Sequence, residues 1–152
     1  MISIYQISEA YKRISKYIYK TPIIFSDKLN KMTGSNILIK AENLQKTGSF
    51  KIRGATNMIA QIKEEKVVAP SSGNHAQAVA AACNIFNKSA TLVMPSDAPK
   101  SKIVGVKNYN GKIIFYDRNN QDRMKIAKKI SLEENSVLIP PYDHKDIITG
   151  QG

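Results

Sequence analysis

Apolar positions recur at helical spacing near the start of the chain. Ala10, Ile14, Tyr17 and Ile18 fall on one face, and Ser8-Glu9 can open such a helix. Thr21-Pro22 ends it, because the residue before a proline is pushed out of the α region. A short strand is predicted at Ile37-Leu38-Ile39, after the turn at Gly34. From Val67 the pattern becomes regular. β-rich runs at Val67–Ala69, Ala90–Met94, Lys112–Tyr116 and Ser136–Ile139 alternate with helical stretches near Asn74–Asn84, Ala98–Tyr109 and Gln121–Glu133. Turn or cap residues follow each strand: Ser71-Ser72-Gly73-Asn74, Pro95-Ser96-Asp97, then Asp117-Arg118-Asn119-Asn120. Strand and helix alternating at this spacing predict an α/β fold with a parallel sheet and βαβ crossovers. The last residues, Ile147-Ile148-Thr149-Gly150-Gln151-Gly152, show no element that closes the fold, so the chain reads as truncated.

Composition narrows the class. The 152 residues are 42% hydrophobic and 23% charged, which suits a globular protein and excludes a disordered one. Cys83 is the single cysteine, which rules out an intrachain disulfide or a multi-cysteine zinc site and points to a reducing, cytoplasmic compartment. No apolar run approaches a membrane span, and the N-terminus lacks the pattern of a signal peptide. The net charge of +11 is spread along the chain, with no basic run and no RNA-binding aromatic signature, so neither a nucleic acid nor a membrane is expected as partner.

Two segments carry candidate chemistry. In Val67-Val68-Ala69-Pro70-Ser71-Ser72-Gly73-Asn74-His75-Ala76-Gln77 a strand runs through small polar residues into a helix, whose first N–H groups suit a carboxylate or phosphate. The plainer alternative is that Ser72 or Asn74 caps that helix. In Lys46-Thr47-Gly48-Ser49-Phe50-Lys51-Ile52-Arg53-Gly54-Ala55, apolar neighbours and Arg53 surround Lys51. Burial or nearby cations populate a neutral lysine amine, the form that makes Schiff bases; the alternative is a solvated surface lysine.

Taken together and in this order, the two segments resemble the fold-type II pyridoxal-phosphate enzymes, whose fold is that of the tryptophan synthase β chain. The threonine/serine dehydratases and serine racemases are the group they resemble most. Met94-Pro95, Ala98-Pro99-Lys100 and Ile148-Thr149-Gly150-Gln151-Gly152 extend the resemblance over the whole chain. It implies pyridoxal 5'-phosphate as cofactor, held by Lys51, with Phe50 near the ring and Asn74 on its ring hydroxyl. Ser71, Ser72, Gly73, Asn74 and His75 would grip the carboxylate of a small amino-acid substrate. A serine at 72 fits the racemase and hydroxyaspartate dehydratase pattern, giving Lys51 and Ser72 as two bases on opposite faces. Arg123 falls where that subgroup places an arginine near the substrate, its alternative being a solvated residue at a helix start. Lys46, Thr47, Gln77 and Tyr109 match positions of a nucleotide effector site.

The expected activity is a dehydratase (ammonia-lyase) turning threonine or serine into a 2-oxo acid and ammonia. Serine racemase and 3-hydroxyaspartate dehydratase are the alternatives, and a non-catalytic ligand-binding fragment is the rival of another class. By resemblance, residues 1–52 begin a large cofactor domain, 53–145 form a small α/β domain, and 146–152 start the return. A divalent metal, if used, would bind beyond residue 152, and the full-length form is expected to be a homo-oligomer. Two departures stand out. Ala78 replaces a usual glycine, and the stretch from Lys51 to Ser72 is about one helical turn short.

Overall fold

The computed structural model describes every residue from Met1 to Gly152. Four strands, β3 (Lys66–Pro70), β4 (Ser89–Pro95), β5 (Lys112–Tyr116) and β6 (Val137–Leu138), form one parallel sheet in the order β5-β4-β3-β6. A separate antiparallel pair, β1 (Ile23–Phe25) and β2 (Leu38–Lys40), lies exposed along its whole length. The helices are α1 (Ile4–Ile14), α2 (Asp27–Thr33), α3 (Lys51–Ile59), α4 (Asn74–Ile85), α5 (Lys100–Lys107), α6 (Arg123–Glu133) and α7 (Lys145–Gln151).

Strands β3 and β4 are buried on both faces, which is why they read as continuous apolar runs. Alternate residues serve opposite layers. Val67, Ala69, Leu92 and Met94 pack against Ile52, Ile59, Val79 and Val106 on the side of α3, α4 and α5. Val68 and Val93 face the other way, onto Ala127 and Ile130 of α6. Burying α4 requires small residues, and its Ala78–Cys83 run supplies them. Burial also pushes the Cys83 thiol up to about 12, leaving it inert as a nucleophile.

Several boundaries differ from the sequence reading. Helix α1 opens at Ser3, not Ser8, because Ser3 and Gln6 form a reciprocal capping box one turn earlier. It ends at Ile14, well before Thr21-Pro22. Residues Lys145–Gln151, for which no element was predicted, form α7 with His144 as its N-cap. Despite the short connection that follows it, α3 forms in full.

Candidate active site

The strand order reverses at one place. The chain passes from β3 to β4 to β5 on one side, then returns to place β6 on the other flank of β3. In open α/β sheets the crevice beyond the carboxyl ends of such neighbours is where ligands bind. Two segments leave the sheet there: Ser71–Gly73 after β3, and Ile139–Pro141 after β6.

The first leads into α4. Ser71 is pinned by its N–H to the Val93 carbonyl (3.0 Å), and its Oγ accepts the Gly73 N–H (3.2 Å). Gly73 occupies the N-cap position with no side chain to cap the helix, so neither Ser72 nor Asn74 plays the capping part. The N–H groups of Asn74, His75 and Ala76 are consequently left without partners, at the positive end of the helix dipole. Ser72 and Asn74 are exposed, with unbonded side chains.

Lys51 opens α3 and brings its amine to the second segment. Its Nζ donates to the Pro141 carbonyl at 2.7 Å and lies 5.1 Å from the centroid of the half-exposed Phe50 ring. No carboxylate pairs with it. Partial burial alone holds the Lys51 ammonium below the ordinary lysine range. His75 lies behind, 4% exposed, with Nε2 3.2 Å from the Ile139 carbonyl. Burial, opposed by that hydrogen bond and assisted by the Lys51 charge, pushes the His75 imidazole down to about 4, so it is neutral at pH 7. Lys51, His75 and the head of α4 thus meet at the switch point.

Arg53, two residues into α3, turns the other way. Its Nε and one terminal nitrogen reach the two oxygens of Glu42 at 2.7 and 2.6 Å, and the Thr21 hydroxyl donates to the same carboxylate. This anchors the head of α3 to the 3-10 turn Glu42–Leu44. The Arg53 hydrogen bonds hold the Glu42 carboxyl below its usual range of 4.5, against the pull of burial. A carboxyl harder to protonate when folded contributes stability that is complete above about pH 4.5 and lost as pH falls further. Urea midpoints measured from pH 7 down to pH 3 are expected to fall steeply for the native chain and less steeply for Glu42→Gln. Equal acid slopes would remove Glu42 from that account.

The remaining sequence-predicted positions are dispersed. Arg123 is half-buried at the start of α6 and makes no ion pair or hydrogen bond. Gln77 lies against Gly105 of α5, and Tyr109 packs on the core just beyond that helix. Lys46 stacks over the Tyr19 ring at 5.3 Å, whereas Thr47 is buried with an unpartnered hydroxyl. No hydrogen bond joins the Lys46–Thr47 pair to Gln77 and Tyr109. No cluster of three or more His, Cys, Asp or Glu side chains could hold a metal ion, and no helix is long and apolar enough to cross a membrane.

Sequence reasoning missed the Ile139 and Pro141 carbonyls and the role of Glu42. Backbone acceptors carry no side-chain signal; the one hint was a Pro-Pro pair directly after a strand.

Residues 14–152 match the family model described as pyridoxal-phosphate dependent enzyme. The chain belongs to this pyridoxal-phosphate-dependent, fold-type II family. It is 45% identical over 148 residues to the L-threo-3-hydroxyaspartate ammonia-lyase of Saccharomyces cerevisiae, covering 95% of this chain and 45% of the relative. Against the serine racemase of Schizosaccharomyces pombe the identity is 44%, covering 96% and 46%. The structure of maize serine racemase superposes with a TM-score of 0.92 at 40% identity, over 97% of this chain and 46% of that one. The chain therefore spans about half the length of the relatives it matches. For the family's cofactor the residues present are a chemical fit: Lys51 offers an amine without an acid partner, and the head of α4 offers unpaired donors to an anion.

Proposed function

We propose that this chain is the lysine-bearing part of an ammonia-lyase that converts threonine or serine to a 2-oxo acid and ammonia. The observation that carries the reading is the Lys51 amine, half-buried and bonded only to a backbone carbonyl, beside the uncapped head of α4. Lys51 would hold pyridoxal 5'-phosphate covalently, with Phe50 against its ring and Asn74 on its ring hydroxyl. The cofactor, when bound, supplies an electron sink for the pair left at the substrate Cα. The chain supplies orientation and proton movement. The unpaired N–H groups of Asn74, His75 and Ala76, with the Ser71–Gly73 turn, bind the substrate carboxylate. Neutral Lys51 Nζ removes the Cα proton, the β-hydroxyl departs as water, and a water regained later releases ammonia, so threonine balances as 2-oxobutanoate plus ammonia.

On this reading residues 53–145 are the smaller domain, the full-length form is a cytoplasmic homo-oligomer, and any divalent metal binds beyond residue 152. The Lys46, Thr47, Gln77 and Tyr109 positions remain the proposed nucleotide contacts of that larger assembly. The test is borohydride reduction of the full-length protein with cofactor bound, followed by peptide mapping. Cofactor fixed on Lys51 is expected. Cofactor fixed on another lysine would overturn the Lys51 assignment, and none fixed at all would favour a non-catalytic ligand-binding fragment.

A second reading, serine racemisation or hydroxyaspartate elimination, is favoured by Ser72, whose exposed hydroxyl is committed to no cap and no neighbour. The half-buried, unpaired Arg123 would take a second substrate carboxylate. Ser72→Ala is expected to lower serine racemisation about 100-fold more than serine elimination, the usual weight of one positioned proton donor. Chiral chromatography of the product, run beside an oxo-acid assay, checks it; equal losses would exclude Ser72 as the second base.

A further inference from the structure

His75 sits at the head of α4, in the loop assigned to the substrate, yet its side chain turns away from solvent into the core. A ring nitrogen 3.2 Å from a carbonyl oxygen must carry the proton, so Nε2 is the donor to Ile139. The other nitrogen, Nδ1, is then a lone pair, buried without a partner. A second proton there would find no acceptor and would face the Lys51 charge. The imidazole is thereby fixed as one neutral tautomer, able to donate at one point and to do nothing else.

What it donates to is informative. Ile139 gives its own N–H to the Val68 carbonyl at 2.8 Å, which ties it to β3. Pro140 and Pro141 follow, and neither has an N–H with which to hold its place. The bonds through Ile139 and the stiff proline backbone therefore set the position of the Pro141 carbonyl. That carbonyl receives Lys51 Nζ at 2.7 Å. Two helix heads grip the same three residues, α4 through an imidazole and α3 through an amine.

We propose that His75 is a positioning residue for Lys51: by fixing Ile139–Pro141 it holds the Pro141 carbonyl as the resting place of the Lys51 amine. The consequence is orientation. When the amine is not covalently engaged, it stays at one defined point beside the α4 head instead of sweeping the crevice. The proposal deepens the preceding reading and rests on Lys51 being the cofactor lysine.

The test uses cofactor-free protein, so its outcome does not depend on turnover. Reductive methylation of Lys51 is followed by mass spectrometry and normalised to exposed Lys112. His75→Leu keeps similar bulk without a donor, whereas the amide N–H of His75→Gln can replace Nε2–H. The leucine variant is expected to raise the Lys51 rate about ten-fold, the weight of one hydrogen bond to a charged group. The glutamine variant is expected to return it to within about two-fold of native, since it keeps that one bond. An unchanged rate in the leucine variant, or no rescue by glutamine, overturns the proposal. Should the leucine variant fail to fold, nitrogen-15 spectra of the native imidazole decide. An Nε2–H tautomer at pH 7 supports the proposal, and an Nδ1–H tautomer, which could not donate to the Ile139 carbonyl, overturns it. Cofactor fixed at a lysine other than 51 would sink the cofactor assignment while leaving these rates as measured, so the two failures are read apart.

Discussion

On the proposed function, Lys51→Ala is expected to abolish covalent cofactor retention and to lower any lyase turnover of the full-length protein by at least about 1,000-fold, the combined weight of a lost nucleophile and a lost base. The two lysines nearest to it in sequence are engaged elsewhere. Lys40 donates to the Thr21 carbonyl at 2.5 Å, and Lys46 lies over the Tyr19 ring, so neither projects into the switch-point crevice. Lys51→Arg should fare no better, because a guanidinium keeps the charge but cannot form an imine or give up its proton near neutrality. The burial that lowers the Lys51 ammonium has a further sign. Its neutral amine is populated at lower pH than that of an ordinary lysine, so its reaction with a simple aldehyde should rise through an earlier midpoint than that of a free alkylamine. Absorbance of the bound cofactor, borohydride fixation and oxo-acid production are the three readouts. Retention of fixed cofactor in Lys51→Ala would overturn the assignment.

The parallel sheet was legible because β3 and β4 are covered on both faces and must be apolar throughout. The same logic hid the smaller elements. Strand β1 is three residues long and exposed on every one, so no alternation marks it. Helix α2 buries nothing; it is held by the Ser26 cap at one end and by Gly34 in the left-handed region at the other, which are local signals without an apolar stripe. Helix α7 escaped because its glycines read as breaks, whereas they are contact surfaces. The side chains of the candidate site were legible as motifs, since a lysine, a polar turn and a helix start are all sequence features. What they bond to was not. The Lys51–Pro141 and His75–Ile139 bonds span 90 and 64 residues and end on backbone oxygens, which only the strand order brings into range.

Gly150→Ala is expected to destabilise the chain by about 3 kcal/mol, although alanine is the better helix former by about 1 kcal/mol. A Cβ at Gly150 would lie 2.6 Å from the Asn57 Cβ, 2.8 Å from the Arg53 carbonyl oxygen and 2.9 Å from the Gly54 Cα. Two of these are backbone atoms and none is the flexible end of a side chain, so relief requires α3 and α7 to move apart. The contact is reciprocal. A Cβ at Gly54 would meet the Ile147 carbonyl oxygen at 2.7 Å. Separation would also pull on Asn57, which is fully buried and donates to the Asp146 carbonyl and Thr149 Oγ1 while accepting from Arg13. Gly105→Ala is the control. Its Cβ would lie 2.7 Å from Gln77, but the atoms it meets are the amide end of a half-buried side chain that can rotate. The helix-propensity gain should then hold the loss below about 1 kcal/mol. Because Lys51 heads α3, the Gly150 variant should also loosen the Lys51–Pro141 bond and speed methylation of Lys51, which the Gly105 variant leaves alone. Equal urea midpoints for the two variants would mean that the α3–α7 crossing can open without cost, and the glycine pair would then have no part in setting where the lysine lies.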